Sequence, residues 1–277
     1  MNETLKIIIS ACGGVILGGI TSLLIFLPLS PSSPHFPPKN SHPVVSSVNR
    51  EKNGPVDVPI LVYHIVRPPY PSDSAAVRRL AVPPSVLNAQ FAHLKKAGYH
   101  VISFHTLENH FYKGALLSSK PIILSFDDAW KDQYVYAFPI LKRYGYTATF
   151  FVFSNAIGSR GFLSVQNVKD LIAAGMTIGD HSRSHPFLTK IKDSRTLWDE
   201  IEGSKKLLEK ELGVPINEFA YPFGQYDAAI VSLVKKAGYK SARGDFWRGP
   251  AQTKKDLYTL SALNAPTTTA RFKRLFP

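Results

Sequence analysis

The sequence predicts an α/β fold built on a largely parallel sheet, and three observations predict it. Apolar runs rich in β-formers alternate with helical patterns from residue 60 to residue 237. A junction recurs between them: Leu94-Lys-Lys-Ala-Gly98-Tyr99, Leu141-Lys-Arg-Tyr-Gly145-Tyr146 and Val234-Lys-Lys-Ala-Gly238-Tyr239, with Leu171-Ile-Ala-Ala-Gly175-Met176 as a variant. Basic residues suit a last helical turn and glycine suits the left-handed position after it, so each junction ends a helix and opens a strand. Polar residues stand where several of the apolar runs stop. Repeated βα units imply a parallel sheet, closed as a barrel or open and doubly wound, with ligands gathered at the carboxyl ends of its strands.

The elements follow in order. Ile7 to Leu29 is a 23-residue stretch without a charge, long enough to span a bilayer. We read residues 1–29 as a signal anchor, preferred over a cleaved signal peptide and over a lipoprotein modified at Cys12 in Ile9-Ser-Ala-Cys12. That reading places the rest of the chain outside the cell, on a single-pass membrane protein, or secreted if the segment is cleaved. Residues 28–55 hold seven prolines among Ser, Asn, His and Lys, so residues 30–55 form a semi-extended linker. The folded domain covers residues 56–277. Its expected strands are Ile60–Tyr63, Val101–Ser103, Ile122–Phe126, Thr147–Phe153, Met176–Gly179 and Phe219–Tyr221. Its expected helices are Ser85–Ala97, Gln133–Tyr144, Val165–Ala174, Leu197–Leu212 and Asp227–Ala237.

Composition narrows the chemistry. The 277 residues are 44% hydrophobic and 12% aromatic, enough for one sizeable core. Cys12 is the only cysteine, which excludes an intrachain disulfide and a thiolate zinc site. The net charge of +13 favours anionic partners. For a domain held outside a membrane, with no nucleic-acid-binding motif visible, those partners are acidic glycans or lipid headgroups and not nucleic acid.

Two clusters carry the chemistry. Ile122-Ile-Leu-Ser-Phe-Asp127-Asp128 is an apolar run that stops at two carboxylates, and His181-Ser-Arg-Ser-His185 sets two imidazoles at i and i+4. That spacing lets both rings face one point from a helical turn. Two His and one Asp suit a catalytic divalent metal with a position left open, and the remaining carboxylate is what a general base requires. Asp pairs are often turn residues and a lone HxxxH is often structural. Here Asp127, Asp128, His181, Tyr221-Pro-Phe-Gly224 and His64 all fall at strand ends, and this shared placement favours a site. The residues read as a metal-dependent hydrolase.

The motifs Ser125-Phe-Asp-Asp-Ala129, His181-Ser-Arg-Ser-His185 and Tyr221-Pro-Phe-Gly-Gln-Tyr226, with Leu61-Val-Tyr-His-Ile-Val66 ahead of them, resemble the polysaccharide deacetylase family. This is the NodB-homology or carbohydrate esterase 4 group, here in its Tyr-Pro-Phe-Gly branch. The resemblance covers residues 57–250. It implies a distorted (β/α)7 barrel and hydrolysis of N-acetyl groups from the amino sugars of a polysaccharide or cell-wall glycan. It implies that Asp127 is the base and that Asp128, His181 and His185 hold one divalent metal, zinc, with cobalt or nickel as alternatives. The Tyr221–Gly224 turn becomes the candidate oxyanion donor. No histidine follows His185, so His64, on the strand that neighbours the last one in a barrel, is the expected proton donor.

Departures from the pattern set further expectations. Ala129 replaces a customary glycine, and Ala220 stands where many members carry an arginine that orients the base. Asp180 precedes His181, either orienting an imidazole as a supporting carboxylate or capping the next helix. The tail from Asp256 to Pro277 fits loosely, pointing to an altered groove wall. Trp130 and Trp247 are candidate sugar platforms. Two other readings remain: a glycan-binding protein without activity, and an amidase acting on a non-polymeric amide.

Overall fold

Ten strands and nine α-helices, with short 3-10 and π-helical turns between them, make up the described part of the computed structural model, residues 54–277. The strands are β1 (Val56–Asp57), β2 (Ile60–Tyr63), β3 (His100–Val101), β4 (Pro121–Phe126), β5 (Thr149–Val152), β6 (Thr177–Asp180), β7 (Glu218–Ala220), β8 (Ser241–Arg243), β9 (Ala251–Gln252) and β10 (Leu263–Asn264). The helices are α1 (Ala75–Leu80), α2 (Pro84–Lys96), α3 (Phe104–Lys113), α4 (Phe138–Tyr144), α5 (Val165–Ala173), α6 (Ser194–Trp198), α7 (Ser204–Leu212), α8 (Ala228–Lys236) and α9 (Thr269–Leu275). The signal anchor expected over residues 1–29 and all but the end of the linker over 30–55 lie outside the described residues. Among the described residues no helix is long and apolar enough to cross a membrane.

The sheet runs β10-β2-β4-β5-β6-β7-β8 with β3 beside the start of β4, and every pairing in it is parallel. It is curled. One segment ties its two edges: Leu260 bridges Arg243 of β8, and three residues on, Leu263 pairs with Leu61 of β2. The tail therefore completes the sheet. Its last helix packs on α2, with Phe272 and Phe276 buried and His93 Nε2 bonded to the Phe276 carbonyl at 2.6 Å. The four junction glycines are all left-handed, at φ +77° (Gly98), +66° (Gly145), +83° (Gly175) and +86° (Gly238).

Strand alternation sorts the core into two layers. Leu61, Tyr63, Leu124, Phe126, Phe150 and Phe219 pack outward beneath the helices, against Phe91, Leu141, Leu171 and Leu208. Ile60, Val62, Ile123, Phe151 and Ala220 point inward and meet Phe104, Leu107 and Phe111 of α3. That helix plugs the amino ends of the strands, so the inner face opens only at their carboxyl ends. The expected strand at Val101–Ser103 shortens because Ser103 caps α3 instead, its Oγ accepting from the Thr106 N–H at 3.1 Å.

Beside the plug lies a buried acidic pair. Glu108 of α3 accepts from Ser241 Oγ at 2.7 Å, and Glu218 of β7 is 3% exposed. Burial, and then the nearby Glu108, push the Glu218 carboxyl up to about 8. A raised carboxyl pKa stabilises the fold below the unfolded pKa and loses that contribution as pH rises through the folded one. Glu218→Gln should therefore be more stable than the parent at pH 8.5, by on the order of 2–4 kcal/mol. The gain should vanish near pH 4, as urea midpoints at the two pH values will show.

Candidate active site

The strand ends deliver the polar residues inward. Asp127 continues the inner-facing series Ile123, Ser125, and its N–H still donates to the Tyr63 carbonyl at 2.9 Å. An extended strand would send the next side chain to the opposite face. Here Asp128 and Ala129 both turn left-handed, at φ +73° and +59°. Both carboxylates consequently reach the same imidazole: Asp127 Oδ2 lies 3.8 Å and Asp128 Oδ1 3.6 Å from His181 Nε2. Ala129 thus occupies the conformation that glycine takes without strain. Ala129→Gly should raise stability by about 0.5–1 kcal/mol in urea denaturation, strain relief outweighing the glycine's chain entropy.

His181 follows β6, where Gly179 leaves room for the inward ring of Phe151; a Cβ there would stand 2.5 Å from it. The Nδ1 of His181 bonds to the Ala220 carbonyl at 2.7 Å, which leaves Nε2 as the bare acceptor. Burial first, then His185, push the imidazole down to about 3, so it is neutral at physiological pH. The HxxxH pair does not sit on a helical turn. It lies in a loop held by two left-handed residues, Ser182 at φ +68° and His185 at +60°. Ser182 Oγ accepts from the His185 N–H at 3.0 Å, and Glu200 takes both the N–H and the hydroxyl of Ser184, at 2.9 and 2.5 Å. Sequence spacing shows none of this, because it carries no information about φ.

The result is a converging set of acceptors. His185 Nε2 lies 3.2 Å from His181 Nε2 and 3.4 Å from Asp128 Oδ1. One donor atom from each of Asp128, His181 and His185 falls within 4.8 Å of the others. Asp127 Oδ2 is buried without a hydrogen-bond partner. Imidazole nitrogens and carboxylate oxygens whose lone pairs point at one place are held together by a cation lying between them, so this donor set fits a divalent metal.

Arg243 was not anticipated. It is fully buried, ion-paired through Nη2 to Asp127 Oδ1 and through Nη1 to Asp245 at 3.0 Å, with its guanidinium over the Phe151 ring. Ala220 and Arg243 are register partners on adjacent strands, so the cation missing at 220 comes from the next strand at the same level. The signal was present: the Gly238-Tyr239 junction announces a strand, and Arg243 ends it.

Several expectations need correction. Asp180 orients neither imidazole nor caps a helix; alternation turns it outward, to Ser204 Oγ at 2.8 Å and Tyr239 Oη at 2.5 Å. Tyr221 cannot be the oxyanion donor, since its N–H is bonded to the Arg243 carbonyl at 3.0 Å and its hydroxyl to Tyr258. Pro222 has no N–H, and that of Gly224 goes to Tyr221. Phe223, left-handed at φ +57°, is the residue of the turn whose N–H has no acceptor among the described residues. Its ring stacks on Phe187 at 3.9 Å and meets His185 at 4.5 Å. Trp130 donates its indole N–H to Asp128 Oδ2 at 3.1 Å and stacks on Phe162, so it steadies a carboxylate of the cluster. Trp247 stays 37% exposed on the loop between β8 and β9. His64 is buried just past β2, on the inner-facing side by alternation, and its ring makes no hydrogen bond among the described residues. Two surface pockets, of about 680 and 500 Å³, lie elsewhere, along α4 and α5 and beside α8; the donor geometry marks the site.

Comparison with known proteins agrees with this geometry. Residues 114–242 match the polysaccharide deacetylase family. The chain is 27% identical to YxkH of Bacillus subtilis, a protein assigned to the polysaccharide deacetylases, over 67% of this chain and 63% of that protein, less than two thirds of its length. It is 25% identical to the poly-beta-1,6-N-acetyl-D-glucosamine N-deacetylase of Staphylococcus aureus, over 80% of this chain and 82% of the relative. Among solved structures, the Streptococcus pyogenes deacetylase PplD in complex with acetate aligns with a TM-score of 0.74 at 26% identity, covering 80% of this chain and 99% of that one. A polysaccharide deacetylase from Bacillus cereus aligns with a TM-score of 0.70 at 26% identity, covering 80% and 70%.

Proposed function

We propose that this chain, whose residues 114–242 match the polysaccharide deacetylase family, hydrolyses N-acetyl groups from the amino sugars of an extracellular polysaccharide or peptidoglycan. The observation that carries this reading is the convergence of Asp128, His181 and His185 beside the unpartnered Oδ2 of Asp127. Asp128, His181 and His185 would hold one divalent metal, zinc in our assignment, with cobalt or nickel able to replace it. Such an ion, when bound, acidifies the attacking water and polarises the acetyl carbonyl.

The residues of the chain supply the remaining chemistry. Arg243 occupies Oδ1 of Asp127, which leaves Oδ2 as the oxygen that accepts the proton of the attacking water. The Phe223 N–H faces the negative charge that develops on the acetyl oxygen. His64 returns a proton to the sugar nitrogen, which otherwise leaves as an amide anion. Residues 1–29 anchor the protein in the membrane and residues 30–55 hold the domain (56–277) at a distance, outside the cell.

His64→Ala tests the proton donor. We expect its turnover on an N-acetylated chitooligosaccharide to fall about a hundredfold, with acetate release as the readout. Undiminished release would remove His64 from the mechanism.

A further inference from the structure

We propose that Gln133 is a positioning residue which fixes the proton donor relative to the base. The ladder between β2 and β4 ends at the pair Tyr63–Phe126, with one last bond from the Asp127 N–H to the Tyr63 carbonyl. Beyond that point the two strands part, and β2 continues toward a bridge between Ile65 and Ala81. His64 and Asp127 are the first residues past the ladder on either side. Their separation is no longer set by sheet pairing.

One buried carboxamide replaces the missing rungs. Gln133 is fully buried, and its Nε2 donates to the carbonyl of His64 at 2.8 Å and to that of Asp127 at 2.5 Å. Both partners are carbonyls, so the amide orientation is fixed by chemistry. The neighbouring Asp132 adds a second tie to the same loop, its Oδ1 accepting from the Val66 N–H at 3.1 Å. Gln133 opens a π-helical turn, Gln133–Ala137, ahead of α4. Such turns shift helical register and recur at functional sites; here the turn begins at the residue that carries the clamp. The Oε1 of Gln133 finds no protein partner, and a buried orphan acceptor is costly.

The inference rests on the reading of His64 as proton donor. Among the described residues the Gln133 side chain makes no hydrogen bond to Asp128, His181 or His185, so its loss should leave the metal in place and disturb the spacing of donor and base. Protonating the departing nitrogen is essential for an amide and dispensable for an ester with a good leaving group. The two substrates therefore separate positioning from folding.

The experiment compares Gln133→Met, His64→Ala and their double variant in the full chain, on an N-acetylated chitooligosaccharide and on p-nitrophenyl acetate. Zinc affinity is measured alongside by chelator competition. Gln133→Met should lose about ten- to a hundredfold on the amide, the scale of an ångström-sized misplacement, and less than about threefold on the ester. Its zinc affinity should stay within about twofold, and the double variant should be no worse than His64→Ala. Parallel losses on both substrates, a weakened zinc site, or an unaffected amide rate would overturn the inference. Full amide turnover in His64→Ala would instead overturn the reading beneath it. If Gln133→Met does not fold, Gln133→Asn, one methylene shorter, should show the same selective loss in smaller measure; equal losses on both substrates would count against the proposal.

Discussion

Asp127→Asn is expected to cut acetate release by about a thousandfold while leaving metal affinity within a few-fold of the parent. The asymmetry follows from the geometry. Asp127 Oδ1 is held by Arg243, and Oδ2 lies 3.8 Å from His181 Nε2 without a hydrogen-bond partner. An asparagine of the same size keeps its oxygen toward Arg243 and turns its NH₂ to the place of Oδ2. A donor then stands where an acceptor must take the water's proton, and general-base catalysis is worth about a hundred- to ten-thousandfold. The ligand set of Asp128, His181 and His185 is untouched. Calorimetric titration with zinc and an acetate assay on the same preparation measure both halves. A large loss of zinc affinity would make Asp127 a ligand and not the base.

Arg243→Met is expected to cost stability and activity together. Both partners of the pair are essentially without solvent, at 0% and 1% side-chain exposure. Removing one member of a buried pair typically costs about 3–5 kcal/mol, because the other is left as an unpaired buried charge. Without the pair, Asp127 also loses the contact that fixes which of its oxygens faces the site, so acetate release should fall about ten- to a hundredfold, the scale of a misplaced catalytic group. Urea denaturation gives the first effect and an acetate assay the second. Arg243→Lys keeps the charge but not the planar fork, and should recover part of each. Undiminished acetate release in the methionine variant would mean that Arg243 only packs.

How much of this was legible depended on what kind of signal each residue left. Asp127, Asp128 and His181 were readable because long apolar or β-rich runs end at them, and a parallel α/β fold presents such ends to one mouth. The junction glycines were readable because left-handed backbone has a strong residue preference. Arg243 was not read because, although the Gly238-Tyr239 junction announces a strand, β8 is only three residues, Ser-Ala-Arg, with no apolar run to mark its end. The loop carrying His185 was misread as helical because i, i+4 spacing suits a helix and here is met by two left-handed residues. Asp180 was placed beside the imidazole by adjacency in sequence, whereas strand alternation sends neighbours to opposite faces. Glu200 and Gln133 left no trace at all: their roles are hydrogen bonds to distant loops, which only the folded chain assembles.

The most direct measurement is acetate release from N-acetylglucosamine oligomers by the full chain, first stripped with a chelator and then restored with zinc. The stripped protein should release no acetate, restored zinc should bring release back, and the Asp127→Asn variant should give none under either condition. Acetate release that persists after stripping, or none from a zinc-loaded protein on these oligomers and on peptidoglycan fragments alike, would contradict a metal-dependent deacetylase.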